Sequence, residues 1–152
     1  MHLAHYLGLL HRAQSNLADA FRQVADAHHE EPDVHHLCQQ QAKRCDVHAE
    51  RLLPFAQRYA EQEQDEPDRL HSELFRGTRT GGIGLLRDLQ DLYLMAAECD
   101  ICWTVVGQGA YGARDNDLLE VVHTCEGETA LQLAWLRSRM KQAAPQALVV
   151  AE

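Results

Sequence analysis

Residues 61–82 read EQEQDEPDRLHSELFRGTRTGG, an acidic connection 22 residues long between two helical stretches. Fully extended, a segment of this length reaches about 70 Å. A helix of about 27 residues is roughly 40 Å long, so the connection can run the whole length of a bundle built from such helices. Antiparallel neighbours need only a few residues between them, and the turns near residues 30 and 112 are of that kind. A long link between the second and third helices therefore favours a crossover over a simple up-down-up-down order. Within it, Pro67 can open one short helix, Asp68 to Phe75, before Gly81 and Gly82 release the chain.

On both sides of this segment apolar residues recur at helical spacing, and the alternation of a β-strand is absent. The spacing predicts a first helix over about 3–28, with Leu3, Leu7, Leu10, Leu17, Phe21 and Val24 on one stripe. His28 and His29 close it, favourably placed against the negative end of the helix dipole. A second helix spans about 33–60, with Asp33 as its N-cap and a bend at Pro54, which removes a backbone donor. A third covers about 83–107 and is apolar nearly all round. A fourth covers about 116–142, capped by Asp115 or Asn116 and stopped before Pro145. The expectation is one all-α domain over residues 1–152, a four-helix bundle with a crossover between helices two and three.

The formal net charge is −9, and the few basic residues are scattered, which argues against nucleic acid or an anionic membrane as partner. No apolar run approaches the ~20 residues of a membrane span. The opening MHLAHYLGLLHR has neither a basic leader nor a small-residue cleavage site. Five irregularly spaced cysteines, Cys38, Cys45, Cys99, Cys102 and Cys125, then read as reduced thiols in a cytoplasm.

Chemistry has to begin where polar side chains interrupt the apolar stripes. On a 100°-per-residue wheel, Gln14, His48, Asp100 and Glu126 each fall where an apolar residue should face the core. With a crossover, the four lie within about three residues of one level, roughly 4 Å; up-down-up-down order spreads them over about 9 Å. Gln41 and Cys45 flank His48, and His123 and Cys125 flank Glu126. Such groups are costly to bury unless paired, hydrogen-bonded or bound to metal.

This arrangement resembles the ferritin-like superfamily along essentially the whole chain. Di-iron members of that family carry one Glu on each of two helices and a Glu-x-x-His on each of the other two. Here the corresponding positions read Gln14, Cys45-Asp46-Val47-His48, Asp100, and Glu120-Val121-Val122-His123, with Glu126 better aimed than Glu120. The resemblance implies the fold; the carboxylate count falls short of a site for two irons. Three readings of the central layer follow. It is a residual polar network, or it lines a small-molecule pocket, or it holds one transition metal, iron or zinc, through His48, Glu126, Asp100, His123 and Cys45.

Other patterns have plainer explanations. Cys99-Asp100-Ile101-Cys102 lies inside a helix rather than at the N-terminus that would activate a thiol. The turn His28-His29-Glu30-Glu31-Pro32-Asp33-Val34-His35-His36 gathers four imidazoles that read as a solvated, pH-sensitive turn. Gly107-Gln108-Gly109-Ala110-Tyr111-Gly112 has the letters of a dinucleotide fingerprint without a preceding strand, and reads as a helix C-cap and loop. The His-x-x-x-His and His-x-x-x-Glu spacings of hemerythrin-like iron sites are missing.

Leu94, Met95, Ile101, Cys102 and Val105 point away from the expected core of helix three. A symmetric homodimer would cover them, or else the short helix of the linker. The sequence thus supports a divergent ferritin-like protein with one metal or none at its centre, or a non-catalytic helical dimer or protein-interaction module.

Overall fold

Four helices account for most of the described residues, 2–60 and 74–150, in a computed structural model. They are α1 (Leu3–Ala27), α2 (Pro32–Ala60), α3 (Gly81–Ala113) and α4 (Asn116–Pro145), with a π-helical turn, Gln146–Val150, continuing α4. The described residues contain no strand.

The stripe on α1 is buried as its spacing requires: Leu7, Leu10, Leu17, Phe21 and Val24 have no exposed surface. Leu52 from α2, Leu89, Leu92 and Trp103 from α3, and Leu118 and Leu136 from α4 complete the core. Pro32 opens α2, the helical position where a missing N–H costs nothing. Asp33 is therefore inside the first turn of α2 rather than its cap, and it accepts from Arg139 Nε at 2.7 Å. Asp115 does cap α4, accepting from the Leu118 amide at 3.1 Å.

Four cross-helix pairings define the topology. Arg22 of α1 reaches Asp46 of α2. His28 at the end of α1 reaches Asp88 near the start of α3, while Leu3 lies against Gly109 near its end. Tyr59 at the end of α2 reaches Asp115 at the start of α4, and Asp33 meets Arg139 at the other extreme. Thr104 of α3 meets Glu126 of α4. Every neighbouring pair is antiparallel, so α2 and α3 run parallel, and they face one another across the diagonal, their backbones apart and only side chains meeting at the axis. The bundle is up-down-down-up, with Ala60 and Gly81 at opposite ends. Among the neighbours α2 and α4 pack least closely, and polar side chains bridge the seam between them.

α2 runs through Pro54 as one helix over its expected span. Most of the short linker helix, Asp68 to Phe75, lies outside the described residues, although Leu74 and Phe75 are not helical. Two expectations change. α4 carries on past residue 142 to Pro145. The glycine-rich stretch 107–112 is helix, because α3 continues to Ala113 and ends on Arg114 in the left-handed conformation, φ 55°. Two of its glycines serve close packing: a Cβ on Gly107 would stand 3.1 Å from Val122 Cγ1, and one on Gly109 3.0 Å from Leu3 Cδ1. No described helix is long and apolar enough to cross a membrane.

Candidate functional site at the bundle centre

Gln14 and His48 are fully buried, where the stripes of α1 and α2 place them. Asp100 and Glu126 are not at the centre. Both are half-buried on the α3–α4 seam, where Glu126 accepts from Thr104 Oγ1 at 3.2 Å. Burial, and then the neighbouring Glu126, push the Asp100 carboxyl above its usual range. His123 is exposed.

On both helices the inward position is one residue earlier than the wheel indicated. The fully buried residues are Cys99 on α3, and Cys125, Thr129, Gln132 and Leu136 on α4. One residue is about 100° of rotation, which exchanges the axis for a flank. A helix apolar all round, as α3 is, gives the wheel no phase to lock on.

Six positions of the layer now read Gln14, Cys45-x-x-His48, Cys99 and Thr129-x-x-Gln132, and all have no exposed surface. Contacts fix their level. Gln132 Nε2 donates to Cys45 Sγ at 3.4 Å, and His48 Nε2 lies 2.8 Å from Glu128 Oε2. The His48 ring stands edge-on to Trp103, centroids 6.0 Å apart. Cys45 lies close enough to Cys99 to disfavour its ionisation. With His28 against Asp88 at one end and Leu3 against Gly109 at the other, the middle of α1, at Gln14, lies opposite the Cys99 turn. Thr129 turns its hydroxyl to the Cys125 carbonyl at 2.8 Å.

The layer is electrically neutral. Burial pushes the Cys45 thiol up to about 12, and it pushes Cys99 well above the ordinary thiol value. Desolvation lowers the His48 pKa, although its hydrogen bond to Glu128 works the other way. A carboxylate only accepts, so Nε2 carries the imidazole proton and Nδ1 is left as an acceptor.

The residues expected to hold a metal do not gather. His48 and Cys45 face the axis, Asp100 and Glu126 sit together on another seam, and His123 faces solvent. Among the described residues no three His, Cys, Asp or Glu side chains converge as metal ligands would. None of the six axial positions is a carboxylate. A pair of irons needs several such groups to balance its charge, and this donor set does not fit one.

Polar contacts missed by the sequence reading form two further clusters, both at bundle ends. The carboxylate of Asp88 accepts from His28 Nε2, Arg79 N and Arg79 Nη1, and Arg79 also reaches Asp91. Asp115 accepts from the Tyr59 hydroxyl and Arg58 besides capping α4. Burial works against the Asp115 carboxylate, yet the Leu118 amide, Tyr59 and Arg58 together hold its pKa below the usual value. In the histidine-rich turn His28 is buried on Asp88, and His35 Nδ1 donates to the Ala25 carbonyl at 2.8 Å. These two imidazoles are committed separately.

On the outer face of α3, Leu94, Ile101 and Val105 are 41–59% exposed. Met95 and Cys102, expected beside them, are buried; Met95 turns toward Asn16, Asp19 and Gln23 of α1 and toward Phe75. Ile83, near the start of α3, is also exposed. No protein-family model, curated protein or solved structure matches the chain.

Proposed function

We propose that this chain is a ferritin-like bundle that has given up di-iron chemistry and acts as a non-catalytic, self-associating helical module. Two features support the ferritin-like part. The helices run up-down-down-up, and the axial polar residues follow the family's pattern of one, a pair three apart, one, and a pair three apart. The side chains at those positions are Gln, Cys, His and Thr, so the framework of the site persists without its carboxylates.

The observation that carries the self-association is the stripe on α3. Leu94, Ile101 and Val105 recur at spacings of 7 and 4 and fall within about 20° of one line on the helix; toward Ile83 the same line passes Arg87 and Gln90. An amphipathic surface helix would be polar there. A symmetric homodimer that packs this face against its copy removes the apolar surface from water in one step.

Sedimentation of the wild-type protein beside Ile101→Glu tests the reading. The wild type is expected to sediment as a dimer and the variant as a folded monomer. A wild type that stays monomeric up to high micromolar concentration, or a variant of unchanged mass, would count against it.

A further inference from the structure

We propose that the bundle centre is a binding site for a small uncharged molecule that both donates and accepts hydrogen bonds, entered along the α2–α4 seam. The warrant is a set of buried polar atoms that find no partner among the described residues. They are both amide atoms of Gln14, Nδ1 of His48, Nε1 of Trp103, and the amide oxygens of Gln41 and Gln132. Natural interiors leave few such groups unpaired, since each costs about 1–3 kcal/mol. Gln14, His48, Trp103 and Gln132 bring them from all four helices to the middle of the bundle, and Gln41 lies two turns from His48 along α2.

Their chemistry specifies the guest. The Trp103 indole and the Gln14 amide nitrogen donate; His48 Nδ1 and the glutamine oxygens accept. A partner must therefore offer both functions. It must also be uncharged, because the layer has no charged side chain, its thiols stay protonated and its imidazole resists protonation; an anion there would lack a counter-charge, and the one carboxylate beside the layer, Glu128, is partly exposed and already taken by His48 Nε2. It must be small, since Gln14, His48, Leu52 and Trp103 pack at the centre with no exposed surface. Water and a primary amide of a few heavy atoms share this chemistry.

The seam provides the way in. α2 and α4 are the loosest neighbouring pair and are bridged at the centre by Cys45–Gln132 and His48–Glu128. Glu128 itself is partly exposed, so the route from solvent to Trp103 passes one half-open carboxylate and one imidazole. The site does not depend on the α3 face or on self-association.

Nuclear magnetic resonance of 15N-labelled full chain reads the site through Trp103. Only one other tryptophan, the partly buried Trp135, is present, and Trp135→Phe assigns the two indole signals. Cross-relaxation to water is measured at the Trp103 N–H, followed by titration with acetamide and with acetate. Either a long-lived water contact or a saturable acetamide shift is expected, and which one appears distinguishes the two guests. Gln14→Leu should abolish the water contact or weaken the acetamide response about tenfold, one hydrogen bond's worth. An indole N–H that contacts neither probe would overturn the proposal, as would an acetate response equal to that of acetamide. Should Gln14→Leu fail to fold, the wild-type spectra still decide.

Discussion

His28 and Asp88, 60 residues apart in the chain, meet at 2.7 Å with almost no exposed surface on either side chain. Imidazole and carboxylate tie the last turn of α1 to the first turns of α3, and the backbone and guanidinium of Arg79 close the same carboxylate from the other side. Asp88 thus fixes where the crossover rejoins the bundle. Removing one member of a buried polar pair leaves the rest without compensation, typically about 3–5 kcal/mol. Because Arg79 can turn to water, Asp88→Ala should lie at the lower end, about 3 kcal/mol, read as a lower urea midpoint at unchanged slope. A midpoint like the wild type's would show that the cluster is neutral to stability.

None of this cluster was legible in the sequence, where His28 reads as a residue closing a helix and nothing marks Asp88 as its partner. Local periodicity located Gln14 and His48 correctly, because α1 and α2 each have one apolar face and one polar face. It misplaced Asp100 and Glu126 by one residue. On α3 the apolar residues surround the helix, and on α4 Leu119, Val122, Leu133 and Met140 widen the stripe until its centre drifts. The crossover was legible from linker length alone, because chain reach is a geometric bound that packing cannot alter. Met95 was assigned outward for the same want of phase, and it is buried, lining the same surface hollow as Phe75 at the end of the linker.

Acid should weaken the fold through His48. Its folded pKa is lowered by desolvation, whereas the unfolded imidazole titrates near 6.5. Below that value the unfolded chain binds the extra proton, so stability is complete above about pH 6.5 and declines as pH falls toward the lowered folded value, by at most about 1.4 kcal/mol per pH unit for one proton. In His48→Gln that part of the slope should vanish. Chemical denaturation of both proteins at pH 7.5, 6.5 and 5.5 measures it, and parallel curves would exonerate His48.

Pro54 sits inside α2 with its side chain exposed. It cannot donate to the carbonyl of Glu50, one turn earlier, and its ring crowds that turn. Nothing in the described contacts depends on the ring, so Pro54→Ala should restore a helical hydrogen bond and raise stability by about 1–3 kcal/mol. Thermal melting would register this as a rise of several degrees. A drop instead would mean that the proline shapes α2 for its neighbours.

The cysteines make the most direct test of the core. All five are free and buried. Desolvation leads every shift: Cys38 and Cys45 stand at about 12, Cys102 and Cys125 at about 11, and Cys99 well above its ordinary value. Thiolate is the reactive form, and at pH 8 less than about one thiol in a hundred would be ionised even where a reagent could reach it. Ellman's reagent should therefore modify fewer than one thiol per native chain over minutes, and all five once guanidinium is added. Modification that tracks the unfolding equilibrium would place every thiol behind global opening. Rapid labelling of Cys45 alone, identified by mass spectrometry, would show instead that the α2–α4 seam opens locally, since Cys45 is the thiol bridged across it by Gln132.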